Sequence, residues 1–226
     1  MSPRAGFCLF MVAGLSLASC GGRNNVVIPA ESALASSKKE VPVDAFLFDA
    51  RLWRDGKPTS FRLELYQADT IVGLAGRGYL GKGALKGRMT ADSMIVFFPS
   101  TNEYIRETIA GVLGSIECAG AGRAPNLVHL TRRLPEDWLP DQAYILDTVS
   151  ASDDERVYTI SQENCPWRLD VTYTMHDSTW YVDNIEFDSG ENTRLQARRR
   201  TLKTGTTVES NRFSAPIGPD AVRIIP

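Results

Sequence analysis

From Asp44 onward the chain alternates apolar and polar residues with a period of two, the signature of strands with one buried face. Phe46, Phe48, Ala50 and Leu52 share one side of a first segment, and Asp55-Gly56 supplies a turn. Phe61, Leu63 and Leu65 then alternate with Arg62, Glu64 and Tyr66. Met94 to Phe98 is apolar throughout, as expected of a strand covered on both sides. Trp167, Leu169, Val171, Tyr173 and Met175 line one face of a later strand, with Arg168, Asp170, Thr172 and Thr174 on the other. His176 to Thr179 turns that strand into the next. There Trp180 and Val182 fall out of phase with Ile185 and Phe187, which predicts a bulge near Asp183-Asn184. Shorter strands fit Thr70–Leu80, Gly83–Thr90, Arg156–Gln162, Thr193–Lys203 and Thr206–Ala215, about 9–11 in all, in meander order.

The middle of the chain changes period. Ser100-Thr101-Asn102-Glu103 has capping-box spacing, and Tyr104, Ile105, Thr108, Ile109, Val112 and Leu113 recur three and four apart until Gly114. Leu127, Leu130, Thr131 and Leu134 fit a second, shorter helix ending before Pro135. The pattern therefore predicts an α+β fold: a strongly curved antiparallel sheet with one helical insertion, roughly Ser100 to Pro140, lying on its concave face.

The first residues have a different character. Arg4 precedes an apolar run from Gly6 to Leu17, too short to span roughly 30 Å of hydrocarbon, so it reads as a cleaved leader. Leu17-Ala18-Ser19-Cys20 resembles the lipobox of bacterial lipoproteins. That resemblance implies a signal peptide over 1–19, a diacylglyceryl group and an acyl chain such as palmitate at Cys20, and a membrane held through that lipid. Gly21 to Val41 is polar and rich in small residues, a flexible tether, so lipid and tether occupy 20–42 and a single domain 43–226. Gly21, in place of an Asp after the cysteine, resembles sorting to the outer membrane rather than retention in the inner one.

Charge is nearly balanced, with 25 Lys and Arg against 27 Asp and Glu, and nothing points to nucleic acid. Of four cysteines, Cys8 leaves with the leader and Cys20 takes lipid. Cys118 and Cys165 remain, and in an exported protein they are expected to form a disulfide, with two buried free thiols as the alternative. Two sulfurs and two distant histidines do not make a metal site.

Gly76-Arg77-Gly78-Tyr79-Leu80-Gly81 satisfies GxGxxG, but a strand-like segment follows it where a phosphate-binding loop needs a helix, which argues against a nucleotide. Arg132-Arg133 and Arg198-Arg199-Arg200 are the basic runs. A solvated face is the plain explanation for them, and anionic head groups are the functional one. No carboxylate pair or nucleophile with its base stands out, and the expectation is a protein without enzymatic activity or cofactor.

The strands around Phe61-Arg62-Leu63-Glu64-Leu65-Tyr66, the run from Met94 through Pro99-Ser100-Thr101-Asn102-Glu103-Tyr104, and the ending Arg212-Phe213 with Pro216 to Val222 carry a family resemblance. Over Asp44 to Ile225 the chain resembles the LolA/LolB-like lipoprotein-carrier superfamily. The resemblance implies a half-open barrel that binds acyl chains, lipids or lipoproteins, at the periplasmic face of the outer membrane, for transfer to that membrane. The lipid anchor makes it more similar to the membrane-attached LolB type. No ligand contact follows from the resemblance itself; a curling sheet under a helix with one apolar stripe predicts separately that Phe61, Leu63, Leu65, Ile105, Ile109, Leu113 and Trp167 line an apolar ligand site between sheet and helix. The competing expectation is a non-enzymatic scaffold of an envelope complex, its core filled by its own side chains.

Overall fold

The computed structural model describes residues 39–78, 83–114, 125–140 and 144–225. The leader, Cys20, nearly all of the tether and Cys118 lie outside them. β1 (Glu40–Arg54) and β2 (Lys57–Gln67) form a hairpin through Asp55 and Gly56, whose φ angles of 49° and 73° give the twist that a two-residue hairpin turn requires. β3 (Ile71–Arg77), β4 (Gly83–Thr90), β5 (Ser93–Phe98) and β6 (Glu103–Thr108) continue the meander. β7 (Ile145–Ala151), β8 (Glu155–Ser161), β9 (Arg168–His176), β10 (Thr179–Asp188) and β11 (Thr193–Glu209) form a second meander. β1 pairs with β11 along nearly its whole length, joining the two. β12 (Val222–Arg223) adds in parallel to β6, so among the described residues one sheet of 12 strands has β12 and β7 at its edges.

The sheet curls around one core. Ile105 of β6 and Tyr158 of β8 belong to the same buried cluster. In a flat sheet those strands would lie roughly 40 Å apart at ~4.8 Å per strand. Gly87 helps the sheet to bend, since a Cβ there would stand 2.3 Å from the Ile95 carbonyl oxygen. The bulge forecast near Asp183-Asn184 is present, as a register shift between Val182 and Asn184.

Among the described residues the helical insertion is not there. Ser100 to Asn102 form the β5–β6 turn, with Asn102 at φ 55°, and Glu103–Thr108 is a strand. Only Ile109–Gly114, here α1, is α-helical among the described residues. The fold class is therefore a curved, open, almost all-β sheet and not α+β. The apolar spacing fits both periods, and tertiary pairing decides between them. Val96 opposes Ile105 and Phe97 opposes Tyr104, so a ladder on the free edge of β5 outcompetes an isolated helix with β-branched Ile105 and Thr108. The second predicted helix is replaced by 3-10 turns at Leu127–His129 and Pro135–Asp137, which Pro125, Pro135 and Pro140 punctuate. Two forecast strands, Thr193–Lys203 and Thr206–Ala215, merge into one 17-residue strand, Thr193–Glu209, with Gly205 at φ 58°, and the end of the second forecast, Ser210–Phe213, is a 3-10 turn instead. β7 was not anticipated. Its residues are mostly exposed, so it lacks the alternation that marks a half-buried strand. β1 also begins at Glu40, inside the stretch read as tether.

Candidate ligand face and its cover

Alternation in the central strands sends one apolar row to the concave side. Phe46, Phe48, Ala50 and Leu52 of β1 meet Leu65, Leu63, Phe61 and Thr59 of β2 in register, and the first four are at most 4 % exposed. Val72 and Leu74, Leu85, Val96 and Phe98 carry the surface on through β3, β4 and β5. Leu169, Val171 and Tyr173 of β9 oppose Phe187, Ile185 and Val182 of β10. All of these apart from Thr59 belong to one cluster or pack against it.

Of the seven residues expected to line a ligand site, Phe61, Leu65, Ile105, Ile109 and Trp167 lie buried in that cluster, and Leu63 packs against it half-buried. The side chain of Leu113 lies outside the described residues. The structure therefore brings six of the seven together, but not as walls of an open gap: Ile105 and Ile109 are each 1 % exposed, leaving no room for water against them. Trp167 is buried with its indole Nε1 lacking any acceptor among the described residues, while its ring meets Tyr144 edge-on at 6.1 Å. A buried indole N–H usually finds a partner, so this one marks an unmet polar demand inside an apolar wall.

What covers the face is the segment 125–139, together with Ile109 and Val112 of α1. Leu127, Val128 and Trp138 are buried into the cluster, and Leu130, Leu134 and Leu139 pack at its margin. The cover is held from its flanks. Thr131 Oγ1 donates to Gln67 Oε1 at 2.8 Å, and both residues are buried. The Tyr173 hydroxyl donates to the Leu130 carbonyl at 3.0 Å, and Val182 N–H to the Thr131 carbonyl at 3.1 Å. Arg132 Nε lies 3.2 Å from Asp44 Oδ2, and Asp44 also accepts the Gly205 amide at 2.9 Å. The Tyr158 hydroxyl donates to Glu136 Oε1 at 2.8 Å. Burial pushes the Tyr158 and Tyr173 hydroxyls above their ordinary pKa, so both remain donors. Sequence reasoning missed the contacts that Asp44, Gln67 and Thr131 make. No local pattern marks them, because their partners lie 64 or more residues away in the chain.

The other candidates resolve simply. β4 follows the glycine-rich run, so no helix N-terminus stands behind it, and Gly76 lies where a Cβ would be 2.8 Å from Leu85. Arg199 is taken up inside the fold, 3.0 Å from Asp183 and donating to the Val182 carbonyl and the Thr174 hydroxyl. Arg200 lies 3.7 Å from Asp49. Cys165 is disulfide-bonded and packs against the core half-buried, while the expected partner, Cys118, lies outside the described residues.

No family model and no curated protein matches the chain. Among solved structures it is similar to a putative outer membrane lipoprotein-sorting protein domain from Vibrio parahaemolyticus, at 10 % identity and TM-score 0.39, covering 79 % of this chain and 91 % of that one. It is also similar to a LolA superfamily protein from Nitrosomonas europaea, at 11 % identity and TM-score 0.35, covering 80 % and 92 %. A DUF1329 family protein from Desulfovibrio piger matches at 11 % identity and TM-score 0.39, covering 80 % and 91 %. The second of these structures carries the LolA name that the sequence resemblance also gave.

Proposed function

We propose that this is an exported envelope protein, held to a membrane by lipid on Cys20, that takes the acyl chain of a lipid or lipoprotein against its concave face when the 125–139 cover lifts. The observation that carries this reading is the way the apolar face is closed. The cover packs on it as short turns latched mainly by side chains, with one backbone bond from Val182 to Thr131, and does not join the sheet as a strand. A hydrogen bond contributes about 1 kcal/mol net, and a buried methylene about 0.8 kcal/mol, so several methylenes offset the latches. An acyl chain lying where Leu127, Val128 and Trp138 lie would restore the apolar contact they give up. The Trp167 N–H, without an acceptor among the described residues, supports a ligand with one carbonyl oxygen at its polar end, an ester or amide. On this reading the protein works at the periplasmic face of the outer membrane, passes its ligand on without a chemical step, and uses no cofactor, metal, nucleotide or nucleic acid.

The test uses the full chain and a fluorescent acyl ester. Wild type should bind it, Ile109→Glu should abolish binding, and Trp167→Phe, which keeps an aromatic ring but loses the N–H, should weaken it about fivefold, as expected for one hydrogen bond. The near-complete burial of Ile105 and Ile109 favours a second reading, a scaffold subunit of an envelope complex with a permanently filled core. If wild type binds no acyl ester and no lipid leaves with it in native mass spectrometry, the scaffold reading replaces the first.

A further inference from the structure

The outer face of β2, β3 and β4 holds charges that neither the core nor the cover uses. Register places Tyr66, Gly73 and Arg88 in one row and Glu64, Ala75 and Lys86 in the next. These positions alternate with Leu65, Leu74 and Leu85, which point into the core, so they lie on the convex side. Gly73 and Ala75 are the small floor of a trough between the taller side chains of β2 and β4. The segment after β11 closes one end. The Arg212 carbonyl oxygen lies 2.5 Å from where a Gly73 Cβ would stand, so only glycine lets that segment settle here. The Arg212 guanidinium lies over the Tyr66 ring, 5.2 Å from its centroid. Arg77 stands at the other end, 2.9 Å from Glu64 Oε1.

The charges do not balance. Glu64 serves both guanidiniums, with its second oxygen 3.6 Å from Arg212 Nη1, and it also accepts the Tyr66 hydroxyl. Lys86 and Arg88 have no carboxylate partner among the described residues. Lys86 stands close enough to Arg212 that burial, and then this like charge, lower its pKa from the ordinary lysine value. Ala75 is half-buried and leaves the floor open to solvent between these cations. A cluster of half-buried cations around an open floor suits a phosphate, whose oxygens accept from ammonium and guanidinium together.

We infer that this trough binds the phosphate of an anionic lipid head group through Lys86, Arg88 and Arg212, and so orients the body on a bilayer. A lipid, in preference to a soluble phosphate, is favoured by where the chain enters the domain. Val41 and Val43 of β1 share a satellite cluster with Tyr66 and Phe213, which puts the start of the domain beside the trough. That preference rests on the lipid anchor proposed above; the trough's charge does not.

The full chain, reconstituted in phosphatidylcholine vesicles with and without phosphatidylglycerol, tests this by acylating lysines and reading each site by peptide mass spectrometry. Phosphatidylglycerol should lower labelling of Lys86 several-fold relative to the exposed Lys57 and Lys203, and high salt should restore it. Arg88→Gln should remove most of the protection, and Arg198→Gln, in the basic run of β11 outside the trough, should keep it. Equal labelling of Lys86 in both vesicles, or protection that survives Arg88→Gln, overturns the site. Protection by inorganic phosphate without vesicles, with none from phosphatidylglycerol, overturns the lipid as its source. The intact mass reads acylation at Cys20 separately. An unacylated chain whose Lys86 is still protected overturns the anchor and upholds the trough.

Discussion

Two side chains show how a buried polar contact acts in this fold. Gln67 and Thr131 are 2 % and 3 % exposed, and the hydroxyl of Thr131 donates to the amide oxygen of Gln67. Gln67→Leu keeps the bulk but strands the Thr131 hydroxyl, which costs roughly 1–3 kcal/mol. A lower denaturant midpoint with an unchanged slope is the expected outcome, and the double variant with Thr131→Val should recover part of the loss. His129 adds a pH dependence to the same cover. Burial first, then Arg133 and Arg132, hold its pKa below the ordinary histidine value, against an opposing pull from Asp137. A base that is harder to protonate folded than unfolded contributes stability that is whole above its unfolded pKa of about 6.5. That contribution drains away as pH falls through about 6.5 toward the lower folded value. Thermal unfolding of the wild type should therefore show a loss of stability over this interval that His129→Gln lacks.

Among the elements, the β4–β5 pair shows how glycine shapes the sheet. A Cβ at Gly87 would meet the Ile95 carbonyl at 2.3 Å and the Val96 Cα at 3.0 Å, both backbone atoms that cannot swing aside. Gly87→Ala should force the two strands apart and cost roughly 1–3 kcal/mol, the range for overpacking. At Gly83 nothing lies within 4 Å of where a Cβ would stand, and φ is not in the left-handed region. Gly83→Ala should therefore be neutral or stabilising by up to about 1 kcal/mol. Melting curves of the two variants side by side check both expectations. At the β7 edge, the register shift between Thr148 and Ser150 leaves Val149 bulged and 62 % exposed. A bulge on an edge strand twists its free hydrogen-bonding groups out of line with any incoming strand. Deleting Val149 should straighten the edge and give concentration-dependent self-association in light scattering.

For the whole molecule, the closed cover and the cross-link bear on whether the sheet can open. Cys165 is disulfide-bonded just before Trp167, and with Cys118 as its partner the bridge would close a long loop around the cover. Such a bridge contributes roughly 4 kcal/mol in the chain-entropy model. Mass spectrometry of non-reduced peptides should recover Cys118 joined to Cys165. Reduction should lower the melting temperature and speed acyl-ester uptake, because the cover would then be free to move further from the sheet.

What depends on near neighbours in the chain could be read without the structure. The alternation in β1, β2 and β9, the turns at Asp55-Gly56 and Asp177-Ser178, and the β10 bulge are local facts of side-chain period and backbone preference, and they appear where the pattern put them. The apolar identity of Phe61, Leu65, Ile105 and Trp167 was legible for the same reason. The conformation of residues 103–108 was not, since Ile105 satisfies both a helical and a strand period and the free edge of β5 settled the choice. Nor could the sequence say whether the concave face is open or filled, because an inward Leu serves a core and a cavity wall equally well. Tertiary structure decided that by bringing Thr131 to Gln67, Arg132 to Asp44 and Leu127 into the core, contacts between residues far apart in the chain that no local spacing encodes.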